Sequence, residues 1–206
     1  MIVIALMVVA IVSVPLCGGR LAAIGRVEVE ETWLIILGFV VQTAVISMAP
    51  QGLEPIAHAV HLASYLLAAA FLVINLHVPW LWLIGLGGGM NFAAIVANGG
   101  TMPAGEWATR VAGMVIADGE FANSEMVADP KLLFLGDVFP IPASWPLSNV
   151  FSVGDVLLVV GAFALLHSVS GSHLSGARRA ARRAATNAET EGHVGFVTRN
   201  DLVDAS

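Results

Sequence analysis

The chain has 206 residues, of which 57% are hydrophobic and 12% are charged, with a mean hydropathy of +0.84 and a formal net charge of −6. A soluble globular domain carries about 25% charged residues, so this composition predicts a membrane protein. The negative charge and the lack of a basic face interleaved with aromatics argue against nucleic-acid binding, and the single cysteine excludes an internal disulfide.

Five apolar runs are long enough to be membrane-spanning helices, which need about 20 mostly apolar residues. The sequence therefore predicts an all-α fold, a polytopic membrane helix bundle of five transmembrane helices. We place the membrane domain at residues 1–170 and a flexible cytoplasmic tail at 171–206. The spans are predicted at 2–16, 33–49, 56–76, 79–98 and 153–170, with a long extracytoplasmic loop at 99–152.

The positions of the arginines predict the orientation of this bundle in the membrane. Arg20 and Arg26 lie between runs one and two, and a second basic cluster follows run five. The positive-inside rule predicts that both regions are cytoplasmic, so the N-terminus lies outside a bacterial inner membrane and the C-terminus inside. The second cluster is expected either to contact anionic lipid headgroups at that face or only to set the topology. Its members are Arg178, Arg179, Arg182 and Arg183.

Run three carries a row of polar side chains. Glu54, His58, His61 and Tyr65 are spaced four, three and four residues apart, which places them on one helix face. Two interpretations are open: a site that binds a metal, relays protons or holds a polar headgroup, or hydrogen bonds within the bundle. Two histidines are too few for a metal site, so His58 and His61 are candidates that need further ligands.

Runs four and five add further polar groups. Asn91 and Asn98 are seven residues apart and share a face, while Gly85 and Gly89 have the spacing of a close helix contact. The segment from Ser152 to Asp155 has the spacing of a capping box, which predicts Asp155 in the first turn of a helix. A capping role for Asp155 does not exclude that it also belongs to a site at the same depth in the membrane.

Other polar residues in the runs are interpreted as structural. Gln42, Thr43 and Asn75 are expected to form interhelical hydrogen bonds, and His167 is expected at the cytoplasmic interface. In the loop, residues 106–115 predict a short amphipathic helix whose apolar face carries Trp107 and lies on the membrane plane. Whether the loop covers the bundle as a lid or remains peripheral is left open.

Three segments resemble an uncharacterised bacterial family of multi-pass membrane proteins, catalogued as a domain of unknown function (the 5317 family). They are NFAAIVANGGTMP, LGDVFPIP and VFSVGDVL, at residues 91–103, 135–142 and 150–157, and HLASY at 61–65 continues the likeness. The resemblance covers runs three to five. It implies a multi-pass bacterial membrane protein, but no activity, substrate or cofactor, so it assigns a role to no residue.

We interpret the chain as an integral membrane protein of unknown molecular function, a binding or accessory protein with a polar pocket near the outer leaflet. The alternatives are a small transporter or channel component and a membrane-embedded enzyme acting on a lipid. No catalytic motif is found, which disfavours an enzyme, and the cofactor is unknown. The expected partners are the lipid bilayer and a second membrane protein. The predicted pocket residues are His58, His61, Tyr65, Asn91, Asn98, Asp137 and Asp155.

Overall fold

The structure, a computed structural model, describes residues 2–48, 54–114, 124–125, 127 and 129–175. Within these residues, the side chains at 45–48, 54–58, 61 and 124–125 are outside the description. Six α-helices account for most of the described chain. They are α1 (Ile2–Leu16), α2 (Thr32–Met48), α3 (Glu54–Ile74), α4 (Leu81–Ala97), α5 (Glu106–Ala112) and α6 (Val153–Val169).

The long helices coincide with the five apolar runs, and their ends are set by local signals. Helix α6 begins at a capping box: the Ser152 hydroxyl accepts the Asp155 amide, and the Asp155 carboxylate accepts the Ser152 amide, both at 3.0 Å. Helix α4 ends where Gly99 and Gly100 adopt φ values of +71° and +104°, a conformation that favours glycine. The positions of these helices were therefore predictable from sequence.

The helices pack in an order that differs from their order in the chain. The closest contacts join α2 to α3, α3 to α4, α4 to α6 and α6 to α1. Leu72 of α3 packs beside Gly85 of α4, and Ile84 of α4 lies against Gly161 of α6. Each of these long helices thus has one or two main neighbours, which leaves many large apolar side chains exposed, including Phe39 at 70% and Val73 at 67%.

The closest helix approach lies between α4 and α6. A Cβ atom on Gly87 would lie 2.5 Å from the carbonyl oxygen of Gly154 and 2.9 Å from the amide nitrogen of Leu158. Gly89, by contrast, has open space where its side chain would be, and Gly85 meets only Leu72. The sequence therefore predicted a glycine contact in the right helix, but Gly87 makes it rather than the Gly85 and Gly89 pair.

The structure contradicts the prediction of a five-span membrane bundle. In the described part of the chain, no helix is both long and apolar enough to cross a membrane. Helix α1 has 15 residues and α2, α4 and α6 have 17 each, which at 1.5 Å per residue gives at most about 26 Å, less than the roughly 30 Å of a bilayer core. The predicted multi-pass inner-membrane location, with its N-terminus outside and C-terminus cytoplasmic, is contradicted by the same finding.

The segment between α4 and α6 forms short strands and turns around α5. Strand β1 (Met102–Pro103) pairs in parallel with β2 (Ser124–Glu125), and β3 (Phe139–Ile141) pairs antiparallel with β4 (Asn149–Phe151). Met102 is buried with Ala94 and Ile95 of α4, and Leu135 packs on this cluster. The loop therefore covers the C-terminal end of α4.

Helix α5 falls within the stretch predicted to be an amphipathic helix, and it packs on the loop through the face opposite Trp107. Trp107 is 63% exposed, whereas Ala108 and Ala112 are 1% and 2% exposed and pack against Val150 of β4. Small residues fit the narrow space beside the hairpin, so they form the buried face although Trp107 is the more apolar side chain. The prediction that Trp107 lies on a membrane plane loses its basis with the five-span topology.

Candidate functional site

A polar cluster joins four helices near the N-terminus of α6. The Asn91 side-chain amide of α4 donates to Oδ1 of Asp155 at 2.9 Å, and the Asn91 carbonyl oxygen accepts from the Ser152 hydroxyl at 2.8 Å. Because Ser152 and Asp155 also form the capping box, these three residues make a closed ring of hydrogen bonds. Ser152 is fully buried, so each of its bonds is shielded from water.

Tyr65 of α3 extends this cluster toward α2. Burial and the nearby negative charge of Asp155 raise the pKa of Tyr65 from 10 to about 12, while a hydrogen bond to Gln42 of α2 acts in the opposite direction. The Tyr65 ring also lies 5.0 Å from the ring of Phe92, measured between centroids. The phenol is therefore neutral over the physiological pH range and serves as a hydrogen-bonding group.

Three of the seven predicted pocket residues meet in this cluster: Tyr65, Asn91 and Asp155. Asn98 is not part of this cluster. Its side chain donates to the Lys131 carbonyl at 2.7 Å and accepts from the Lys131 amide at 2.9 Å, and these bonds hold the loop against the end of α4. Asp137 is 6% exposed, and its backbone pairs with Pro103 and Gly105 inside the loop. Both are placed to organise the loop.

The side chains of His58 and His61 lie outside the described residues, although the backbone of α3 runs through both positions. Arg178, Arg179, Arg182 and Arg183 lie entirely outside the described residues. The metal candidate and the contact with anionic lipid headgroups therefore both stay predictions.

An open cleft of about 460 Å³ lies beside the polar cluster, on the other side of α6 from α4. Asp155 belongs to both: it is hydrogen-bonded to Asn91 and also lines the cleft. Among the described lining residues it is the one ionisable group, and the rest are apolar or aromatic. The apolar lining consists of Ile2, Val3 and Leu6 of α1, Pro140, Ile141, Pro142, Trp145 and Phe151 of the loop, and Val156, Val159 and Val160 of α6.

Sequence reasoning missed this cleft. Val156, Val159 and Val160 have a helical spacing that a packing face would also have, and nothing in the sequence indicates that α1 and the loop leave a gap over them. The capping-box spacing did identify Asp155, the polar end of the cleft. The one further signal was the proline-rich segment that begins at Pro140, where Pro140 to Pro142 and Trp145 form the opposite wall.

A second polar cluster closes the other end of α6. His167 is 2% exposed, with Nε2 at 2.9 Å from the Ser13 hydroxyl of α1 and Nδ1 at 2.7 Å from the Ser172 hydroxyl. The Ser13 hydroxyl donates to the Ala10 carbonyl at 2.7 Å, so it accepts from Nε2, and the Ser172 hydroxyl contacts both Nδ1 and the His167 carbonyl. The predicted interfacial histidine is thus a buried residue that links α1 to α6 through hydrogen bonds.

Asn75 is likewise structural, as predicted, but its main partner is a loop. It is fully buried and exchanges two hydrogen bonds with the backbone of Glu30, at 2.7 and 2.9 Å, while also donating to the Phe71 carbonyl. These bonds hold the segment before α2 against the end of α3.

Comparison with known sequences places this architecture in a family. A family-wide sequence profile, described as a family of unknown function (DUF5317), matches residues 26–167, about two thirds of the chain. The chain belongs to the DUF5317 family. The match includes α2 to α4, the loop and α6 as far as His167, and it leaves out α1. The resemblance of residues 61–65, 91–103, 135–142 and 150–157 is thereby confirmed.

One curated relative also matches the chain, and its description names no function. An "Uncharacterized protein" of Thermotoga maritima is 27% identical over 100 residues, which is 48% of this chain. The matched segment spans 58% of that relative's length. No solved structure was found to match the chain.

Proposed function

We propose that this protein binds a small molecule with an apolar body in the cleft between α1, α6 and the β3–β4 hairpin. The observation that carries the proposal is the cleft itself: about 460 Å³ of space, open to solvent, with apolar walls and one carboxylate. Ligand pockets usually measure about 300–1,000 Å³ and combine apolar walls with a few oriented polar groups.

The organisation of the cleft's polar end supports a binding role. Asp155 is held by Asn91 and by the Ser152 amide, so its carboxylate has a fixed direction before a ligand arrives. Fixing a polar group in advance reduces the entropy lost on binding.

Binding of N-phenyl-1-naphthylamine, a neutral apolar fluorophore, tests the proposal. We expect saturable binding to the wild-type protein, and a dissociation constant at least about tenfold higher in Val159→Trp, where an indole fills the cleft. The matched control is Val40→Trp, which adds the same indole to an exposed position on α2, outside the cleft. Circular dichroism checks that both variants remain folded. Equal affinities of the two variants would overturn the proposal.

A further inference from the structure

The charge at the polar end of the cleft is negative. Asp155 is the one ionisable group among the described lining residues, and no lysine, arginine or histidine balances it there. Its carboxylate sits in the first turn of α6, where it accepts hydrogen bonds from Asn91 and the Ser152 amide near the positive end of the helix dipole. A ligand that covers Asp155 with hydrocarbon alone would strip water from a charge without replacing it, which is costly.

The carboxylate also has acceptor capacity left. An ionised carboxylate offers about four acceptor positions. The described contacts use one on Oδ1, for Asn91, and one on Oδ2, for the Ser152 amide. About two positions remain, and Asp155 lines the cleft, so the polar cluster holds Asp155 in place without saturating it.

Aromatic side chains line the same cleft. Trp145, 66% exposed, and Phe151 both line it, and the Phe151 ring is stacked on Phe139 with centroids 5.5 Å apart. The faces of aromatic rings attract cations, and alkylated ammonium groups are bound in this way. A carboxylate and two aromatic rings around an apolar cavity favour a cation that carries hydrocarbon.

Resting on the proposed function, we infer that the cleft selects an amphipathic cation: an ammonium or alkylammonium head at Asp155, with its hydrocarbon body along Leu6, Val159 and Ile141. The carboxylate supplies charge complementarity, the aromatic rings on the same cleft attract the cation, and the apolar walls contact the hydrocarbon body. Anionic amphiphiles of the same length are repelled by Asp155, which gives the cleft selectivity as well as affinity.

Displacement of N-phenyl-1-naphthylamine by three octyl compounds tests this inference. Octylammonium, whose head carries N–H donors, should displace the fluorophore at a concentration about tenfold lower than octanol, and octanoate should be the weakest of the three. In Asp155→Asn, which keeps the shape of the side chain, the preference for the cation over octanol should disappear. In Trp145→Leu, an exposed position outside the hydrogen-bonded cluster, the preference should decrease by about threefold to tenfold.

The outcomes separate this inference from the proposed function. Equal displacement by the three compounds in the wild-type protein, or a preference for octanoate, would overturn the cationic ligand while the cleft remains a binding site. Fluorophore binding that is unchanged in Val159→Trp would overturn the cleft itself. The ranking in the wild-type protein decides the question even if Asp155→Asn does not fold.

Discussion

Asn91 of α4 and Asp155 of α6 form a hydrogen bond of 2.9 Å across the closest helix contact in the described structure. The same Asn91 accepts the Ser152 hydroxyl, so one amide side chain satisfies both residues of the capping box. The contact is close because Gly87 and Gly154 lie beside it and have no side chains. Helix packing and the orientation of Asp155 therefore depend on each other.

Replacement of Ser152 by alanine should destabilise the fold at this point. The change removes the cap of α6 and the donor to Asn91, and we expect the free energy of unfolding to fall by about 1–2 kcal/mol. Urea denaturation measures the change. The control is Ser144→Ala in the exposed part of the loop, which should stay within about 0.5 kcal/mol of wild type. Identical denaturation midpoints for the two variants would contradict the role of Ser152.

Replacement of Gly87 by alanine should be more damaging. The new methyl group would meet the Gly154 carbonyl at 2.5 Å, so α4 and α6 must separate, and we expect a loss of about 3 kcal/mol. Gly88→Ala is the matched control, because its side chain would point into open space. Alanine is the better helix former, so that control should be neutral or stabilising by up to about 1 kcal/mol. Thermal unfolding compares the pair.

Tyr65 should make the protein sensitive to alkali. Because its pKa is raised from 10 to about 12, the folded protein keeps a proton that the unfolded chain releases between these pH values. Stability is therefore unaffected below pH 10 and falls as pH rises toward 12, by at most about 2.7 kcal/mol at 1.36 kcal/mol per pKa unit. Tyr65→Phe should lack this decrease.

The pKa of Tyr65 can be measured directly. It is the one tyrosine in the sequence, so the near-ultraviolet absorbance of tyrosinate reports this residue alone. We expect a titration midpoint near 12 in the folded protein, and a lower midpoint in Asp155→Asn, where the neighbouring charge is removed. A midpoint near 10 in the folded wild-type protein would show that the Tyr65 phenol is not buried in this cluster.

Replacement of His167 by leucine should loosen α1. The buried ring bonds to Ser13 and Ser172, and its removal takes one hydrogen-bond partner from each of these hydroxyls, at an expected cost of about 2–3 kcal/mol. His77→Leu is the control, since that ring is exposed and makes one 3.1 Å contact with the Glu28 carbonyl. Chemical denaturation should separate the two, and proteolysis of α1 should be faster in His167→Leu.

The arginine cluster after α6 remains a predicted contact with anionic lipid. Each basic residue near an anionic surface contributes about 1 kcal/mol, so replacing Arg178, Arg179, Arg182 and Arg183 by alanine should strongly reduce co-sedimentation with phosphatidylglycerol vesicles. Replacement of the same four residues by lysine keeps the charge and should retain binding. Added salt should weaken the interaction of the wild-type protein. Equal binding of the alanine variant and wild type would leave the cluster without this role.

The local signals in the sequence were reliable where a single element decides the outcome. Apolar runs located the five long helices, and the Ser152 to Asp155 spacing gave the start of α6, because both depend on contacts within a few residues. Tyr65, Asn91 and Asp155 were found as polar interruptions of apolar helices. The same hydropathy, interpreted as membrane spans, led to a topology that the described helices contradict, because an apolar run does not fix the length of the helix that forms within it.

Tertiary structure decided which of these groups meet and what lies next to them. Helix α6 contacts α4 and α1 at once, so Asp155 faces Asn91 on one side and the cleft on the other. Gly87 rather than Gly85 and Gly89 makes the helix contact, and His167 is buried rather than interfacial. Such outcomes depend on contacts between residues more than sixty positions apart, which spacing along the chain does not encode. The sequence by itself determined the helices and their polar positions, and packing determined the site.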